Sequence, residues 1–249
     1  MLSLTLTGCN NLQLKTSTEL LVSGNEYFKA GDYKHAEVEY SEALKLDPAS
    51  ATAKNNLGVI LNEEGKYDEA IKILNDAIKT DPNNSIAHYV LSSALSKKGA
   101  YDEAIAEAQR ATELDPREAE AFKALGDASL GKGDTAAAIA AYREAVRLDP
   151  DNDGQHHRLA VALARVQDWD GAIAEEKKAL DGNPDNVDAH IGLAMIYEKK
   201  GERAGAVKEL NAVLQKDPSN AAAKQYLAQL KSSPGADTVG SERNSTGQN

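Results

Sequence analysis

The sequence predicts an all-α protein, an α-solenoid of six tandem helix pairs followed by a C-terminal capping helix. Three observations support this: a fixed period of 34 residues, an alanine at the same place in every period, and a proline near each period's end. A period of about 20–50 residues indicates one supersecondary unit stacked repeatedly. The prolines follow Asp or Asn in six dipeptides: Asp47-Pro48, Asp81-Pro82, Asp115-Pro116, Asp149-Pro150, Asn183-Pro184 and Asp217-Pro218.

Counting Ser17 as position 1 divides the chain into six blocks without insertions: 17–50, 51–84, 85–118, 119–152, 153–186 and 187–220. In each block we predict one helix over positions 1–14 and a second over positions 17–30. Position 15 is glycine in five blocks, and a glycine with positive φ ends a helix. Gln167 holds this position in the fifth block, where we predict a different turn. The proline at position 32 ends the second helix.

The last position of each block predicts where the next helix begins. Ser and Asn side chains there can accept a hydrogen bond from a backbone N–H group of the following turn. Glu118 departs from this pattern. The predicted caps are Ser50, Asn84, Asn152, Asn186 and Asn220.

Small residues recur where the two helices of a block should cross. Position 27 is alanine in five blocks and Val213 in the last. Alanine lets two helix backbones approach closely, and a larger side chain there would overpack the contact. Position 20 is alanine in every block: Ala36, Ala70, Ala104, Ala138, Ala172 and Ala206.

These blocks resemble the tetratricopeptide repeat, which has large residues at positions 4, 11 and 24, Leu-Gly at 7–8, Ala at 20 and 27, and Pro at 32. The resemblance covers residues 17–220, or 204 of 249, and Leu57-Gly58 and Leu125-Gly126 match it well. Histidines at position 4 and Glu176 at position 24 depart from it. It implies a right-handed superhelix that binds proteins, with the first helices lining a concave groove.

The resemblance also implies which side chains face the groove, and these suit an extended or helical peptide. Asparagine amides can donate to and accept from a peptide backbone. The convex face and the edges remain alternative binding surfaces. The implied residues of the first three blocks are Leu21, Asn25, Phe28, Asn55, Asn56, Val59, Asn62, Tyr89 and Ser93. Those of the last three are Lys123, Asp127, His157, Arg158, Val161, Arg165, Ile191 and Met195.

One subfamily of these repeats, found in co-chaperones, binds C-terminal carboxylates through a clamp of Lys, Asn, Asn, Lys and Arg. This chain keeps the two asparagines as Asn25 and Asn56. It has Leu21, Ile86 and Val90 where the clamp has cations. We therefore expect no chaperone-tail binding of that type.

Composition and residue pattern argue against two broad functions. A net charge of −11 and a pI of about 5.0 disfavour nucleic-acid binding, which needs a basic surface, and a solvated helical surface is the plainer explanation of the acidity. We find no catalytic constellation and expect no enzyme, cofactor or metal site. The histidines at position 4, His88, His156 and His190, predict packing. The adjacent pairs Glu63-Glu64 and Glu175-Glu176 predict solvated helix faces.

The N-terminal segment 1–16 contains Cys9, the only cysteine of the chain. Leu6-Thr7-Gly8-Cys9 resembles the bacterial lipobox, in which the signal peptide is cut before a cysteine that receives a diacylglycerol. No Lys or Arg precedes Cys9, and the apolar run is shorter than a signal peptide needs. A translation start further upstream would supply the rest. The alternative is an incidental cysteine in the tail of a cytosolic protein.

The C-terminal residues predict two further segments. Residues 221–231 favour a short helix that covers the exposed edge of the last repeat, as terminal elements of solenoids do. Residues 232–249 are rich in Ser, Gly and Asn and predict disorder.

We interpret the chain as a non-enzymatic scaffold for a protein or peptide partner, attached to a membrane only through lipid on Cys9. A lipobox followed by tandem repeats resembles the pilotins of type IV pili and the Tad (Flp) pilus assembly lipoproteins, which bind partner proteins in the bacterial envelope. The alternatives are a soluble cytosolic adaptor that recruits a client protein and a regulatory repeat region of an enzyme such as a glycosyltransferase. The sequence does not name the partner.

Overall fold

The computed structural model describes residues 15–232, which contain thirteen α-helices and no β-strand. The chain divides into two compact units, one ending at Pro116 and the other beginning at Arg117. The first unit contains α1 (Ser17–Lys29), α2 (Tyr33–Leu46), α3 (Ala51–Glu63), α4 (Tyr67–Thr80), α5 (Ser85–Lys97) and α6 (Tyr101–Leu114). The second contains α7 (Ala119–Lys132), α8 (Thr135–Leu148), α9 (Asp153–Arg165), α10 (Trp169–Gly182), α11 (Val187–Lys200), α12 (Arg203–Lys216) and α13 (Ala221–Ser232).

The predicted all-α fold of helix pairs is confirmed. Every even-numbered helix up to α12 covers positions 17–30 of its block, and the odd-numbered helices up to α11 begin at position 1 and end at position 13 or 14. The predicted capping helix is α13, which packs against α12 and buries Leu230. The predictions for residues 1–14, including Cys9, and for 233–249 lie outside the described residues.

Helices pack within each unit in two layers. Each odd-numbered helix pairs with the next even-numbered one, and the even-numbered helix then packs against the odd-numbered helix that follows it in the same unit. Helix α3 also contacts α5, and α9 contacts α11. We call the odd-numbered helices up to α11 the first-helix layer of their unit and the even-numbered ones the second-helix layer.

The turn inside each pair depends on one residue in the left-handed region. Gly31, Gly65, Gly99, Gly133 and Gly201 have φ between 74° and 92°. The prediction of a different turn at Gln167 is wrong, because Gln167 adopts the same conformation with φ 62°. Its N–H donates to Ala164 O at 3.1 Å, as Gly31 N–H donates to Phe28 O at 3.0 Å. The two-helix geometry therefore overrides the ordinary preference of a non-glycine residue for negative φ.

The predicted caps at the block ends are confirmed by their hydrogen bonds. The Ser50 hydroxyl accepts from Ala53 N–H at 3.2 Å, and Asn84 Oδ1 accepts from Ala87 N–H at 3.1 Å. Asn152, Asn186 and Asn220 make the equivalent bond. Glu118 also caps, contrary to expectation, since its longer side chain folds back to accept from Glu120 N–H at 3.3 Å.

Close helix approach is visible at the small residues. The alanines at position 20, from Ala36 to Ala206, are all fully buried. Glycine at position 8 gives a second close contact, because a Cβ built on Gly126 would lie 2.4 Å from Cε1 of Tyr142. Gly58 meets Leu74 in the same way. Each pair is thus held at a spacing that a larger side chain would disturb.

The histidines at position 4 connect successive blocks. Nε2 of His88 donates to Pro82 O at 3.1 Å, and Nδ1 lies 2.6 Å from Oε2 of Glu107. His156 makes the same two contacts with Pro150 and Glu175, as does His190 with Pro184 and Glu209. The hydrogen bond with Glu107 raises the pKa of His88. Each of these histidines therefore connects its helix pair, through a hydrogen bond, to the proline turn that precedes it.

We expect Ala138→Leu and Ala172→Leu each to lower the free energy of unfolding by about 1–3 kcal/mol, because both alanines are fully buried in one core cluster of the second unit. Chemical denaturation followed by circular dichroism measures this. The matched controls are Ala140→Leu and Ala174→Leu, which alter exposed alanines on the same helices. Equal stability of the buried and exposed variants would contradict the packing described here.

Candidate binding surface

The first-helix layer of the first unit carries a hydrogen-bonded amide cluster. The Tyr40 hydroxyl donates to Asn25 Oδ1 at 2.7 Å, and Asn56 Nδ2 donates to the same oxygen at 2.9 Å. Asn25 remains exposed, and Asn56 is partly exposed. Asn25 and Asn56, two of the four asparagines predicted to meet a peptide, are therefore fixed by each other and by Tyr40 while remaining at least partly exposed.

Asn55 does not lie on an open surface, which corrects the sequence-based assignment. It is 95% buried, because α3 packs against α2, α4 and α5 and these neighbours cover its position. Its Oδ1 has no hydrogen-bond partner among the described residues, and neither has the buried Oδ1 of Asn62. Other predicted residues of this unit are partly exposed: Leu21, Phe28, Val59, Tyr89 and Ser93.

The second unit repeats the cluster with charged groups. The Tyr142 hydroxyl donates to Asp127 Oδ1 at 2.6 Å, and Arg158 Nη1 donates to the same oxygen at 2.7 Å. Burial raises the pKa of Tyr142. Arg158, predicted to be an available cation, is thus paired with Asp127, and Lys123 is paired with Glu120.

Glu176 is buried, so the prediction of a solvated Glu175-Glu176 face is wrong. Its side chain is fully buried, and Nδ1 of His157 lies 2.9 and 3.1 Å from its two carboxylate oxygens. Glu176 is buried because it occupies position 24 of its block. The side chain at this position points at the first-helix layer in other blocks, as that of Tyr142 does. Burial raises the pKa of Glu176, and the hydrogen bond with that carboxylate raises the pKa of His157.

Two hollows of the second unit adjoin this pair. One, of about 290 Å³, is mainly apolar and includes Trp169, Met195 and Tyr226 in its walls. The other, of about 550 Å³, is more polar and includes His157 and Asp188. Val161 and Arg165 of α9 line both, and Met195 of α11 lines the first, so these predicted residues do come together here. Ile191, also predicted, packs instead against the core cluster of α11, α12 and α13.

The described residues contain neither a metal-binding cluster nor a membrane-spanning helix. Within residues 15–232, no group of three or more His, Cys, Asp or Glu side chains is arranged to hold a metal ion. None of the thirteen helices combines the length and the apolar character that a membrane span requires.

Family models match most of the described chain. One described as "Tetratricopeptide repeat" matches residues 61–127 and 166–230, and another with the same description matches residues 21–85. A third, described as "TPR repeat", matches residues 126–167. The chain belongs to the tetratricopeptide repeat family. This fold suggests protein–protein interaction, and no catalytic family is indicated.

Individual tetratricopeptide proteins show how far the similarity extends. TPR repeat-containing protein MJ1428 of Methanocaldococcus jannaschii is 38% identical over 50 residues, which are 20% of this chain and 9% of that protein. The crystal structure of the APC/C hetero-tetramer Cut9-Hcn1 matches with a TM-score of 0.77 and 19% identity, over 86% of this chain and 43% of that one. The chain thus spans less than half of either protein. Pseudomonas aeruginosa pilF matches with a TM-score of 0.71 and 20% identity, over 86% and 97% of the two chains. Both structural matches show a shared fold.

We expect His157→Leu to destabilise the protein by about 3 kcal/mol at pH 7, because it leaves the buried Glu176 carboxylate unpaired. The loss should shrink toward pH 4, where Glu176 can be protonated without a partner. The double variant His157→Leu with Glu176→Leu should recover most of the stability, since Leu74 and Leu210 occupy the same repeat position. Denaturation at several pH values measures these differences.

The control is His35→Leu, because His35 is a largely exposed histidine. In the wild type, the pKa of His157 is raised above 6.5 in the folded state. The pKa of Glu176 is also raised, above 4.5, so the stabilisation by the pair is greatest between the pKa of Glu176 and pH 6.5. It is lost as the pH rises through the folded pKa of His157 and as the pH falls through that of Glu176. Equal destabilisation of the single and double variants would refute a buried pair.

Proposed function

We propose that this tetratricopeptide protein is a non-enzymatic scaffold that binds a partner peptide on the first-helix layer of its units. The observation that carries the proposal is the distribution of exposed apolar side chains. In the second-helix layer only α2 exposes large hydrophobic residues among the described ones, namely Tyr33, Val38 and Leu46, whereas α4, α6, α8, α10 and α12 expose none. Helices of the first-helix layer expose Val22, Tyr27, Ile86, Val187 and Met195.

The apolar residues of the first unit are edged by amides. Phe28, Val59 and Tyr89 are partly exposed on α1, α3 and α5, and the Asn25–Asn56 pair lies on the same layer. Apolar patches rimmed by polar groups commonly mark interaction sites. An extended or helical peptide offers the alternating apolar side chains and backbone groups that such a surface accommodates.

We further propose that Cys9 carries lipid and holds the protein at the periplasmic face of the bacterial cell envelope. The support is the Leu6-Thr7-Gly8-Cys9 sequence and its position before the repeats. A single acyl chain anchors a protein marginally, and several anchor it stably. In this proposal the scaffold assists assembly of a pilus or secretion complex, as the resemblance to pilotins and Tad assembly lipoproteins suggests. A soluble cytosolic adaptor is the alternative.

We expect Tyr89→Ala to weaken binding of the partner that co-purifies with the full-length chain by about 1–3 kcal/mol, because tyrosines in interfaces often dominate the binding energy. Calorimetric titration measures the effect, with circular dichroism as the folding control. The matched control is Tyr101→Ala, which removes a partly buried tyrosine from the second-helix layer. Loss of binding in the control alone would move the site to the second-helix layer.

For the anchor, we expect the gene with its native upstream sequence to yield an acylated protein in the membrane fraction. Cys9→Ser should shift the protein to the soluble fraction, because it removes the thiol that receives the lipid. Fractionation and mass spectrometry of the N-terminal peptide measure both results. A wild-type protein that is soluble and unacylated in its native host would leave the cytosolic adaptor as the better description.

A further inference from the structure

The apolar hollow of the second unit depends on two residues that depart from the other blocks. Glu176 occupies position 24 of the fifth block, where four other blocks have a large Tyr or Leu. Gly192 occupies position 6 of the sixth block. The Glu176 carboxylate turns toward α11, where a Cβ on Gly192 would lie 2.2 Å from Oε1. Glycine therefore makes room for the carboxylate and also lines the hollow. We call this hollow the Trp169 pocket.

The walls of the Trp169 pocket suit a single apolar side chain. Trp169, Ile196, Met195 and Val161 supply apolar surface, and Tyr226 of α13 closes one side. Its volume of about 290 Å³ lies just below the usual range for ligand pockets. Met195 is 53% exposed, so the pocket opens to solvent.

The lining of the pocket carries two exposed cations, Arg165 and Lys199, and one exposed carboxylate, Glu198. Arg165 and Lys199 occupy position 13 of successive blocks, both are exposed, and neither forms an ion pair with another described residue. The acidic residues of the pocket are engaged: Glu176 pairs with His157, and Glu198 accepts from the Tyr226 hydroxyl at 2.6 Å. Arg165 and Lys199, which have no ion-pair partner within residues 15–232, make this mouth complementary to an acidic group on a chain of net charge −11.

We propose that the Trp169 pocket receives one large apolar side chain of the partner peptide and that Arg165 and Lys199 bind an acidic residue beside it. This inference rests on the proposed peptide-binding function and specifies the chemistry of the peptide. Burial of the apolar side chain supplies the affinity. The charge pairing selects peptides with an acidic neighbour and disfavours basic ones.

Trp169 is the only tryptophan of the chain, so its fluorescence reports on this pocket alone. The probe is an acetylated and amidated Gly-Asp-Phe-Asp-Gly peptide titrated into the full-length protein. We expect a saturable change in emission, and binding about tenfold weaker when Phe is replaced by Ala, a factor equivalent to 1.4 kcal/mol. Replacing both Asp residues by Lys should also weaken binding, and added salt should reduce that difference.

Two variants test the pocket in the same assay. Met195→Asp places charge in its wall, and Arg165→Glu reverses the charge at its mouth. Both should weaken binding of the probe about tenfold or more. The matched control, Val38→Asp, changes an exposed apolar residue on α2 of the first unit and should bind like the wild type. Circular dichroism confirms that each variant is folded.

Four results would overturn the inference. Emission that does not respond to the probe contradicts it, as does equal binding of the Asp and Lys peptides. Emission that depends on protein concentration without peptide would show that a second copy fills the pocket. If Met195→Asp binds the co-purified partner normally while Tyr89→Ala does not, the pocket inference fails and the proposed function stands. If both bind normally, peptide binding on the first-helix layer fails as well.

Discussion

The close approach of helix backbones at small residues is the constraint on which the rest of this structure depends. Ala138 and Ala172 are fully buried at position 20, and Ala121 and Ala189 are fully buried at position 3. With the position-20 contact fixed in every block, the remaining positions recur with the same orientation. Gln155 shows the cost of departing from the pattern, because it replaces alanine at position 3 and its buried amide has no hydrogen-bond partner among the described residues.

The fold could be predicted from the sequence because its determinants are periodic and local. Proline, glycine, the capping side chains and alanine each act within a few residues of their own position. Gln167 and Glu118 differ from the prediction because residue type alone does not determine the conformation at these two positions. Each was assessed by its residue type, whereas the geometry of the helix pair imposed a left-handed turn on one and a cap on the other.

The candidate surface was only partly predictable, because its chemistry depends on side chains from different blocks. The family pattern identified the faces of α1, α3, α9 and α11 but did not show that Asn55 is covered. It also did not reveal which groups are already paired. One signal was present in the sequence: Tyr40–Asn25–Asn56 and Tyr142–Asp127–Arg158 repeat the same separations of 15 and 31 residues. Glu176 is the only glutamate at position 24, so no equivalent pair in another block predicted its burial with His157.

Hydrogen–deuterium exchange of the full-length chain, with and without its co-purified partner, tests most directly whether the first-helix layer is the binding surface. Amide exchange reports on local opening along the whole backbone, so one experiment compares both layers. The account predicts slower exchange in α1, α3, α5, α9 and α11 when the partner is bound, with little change in α4, α6, α10 and α12. Slower exchange confined to the even-numbered helices would contradict it.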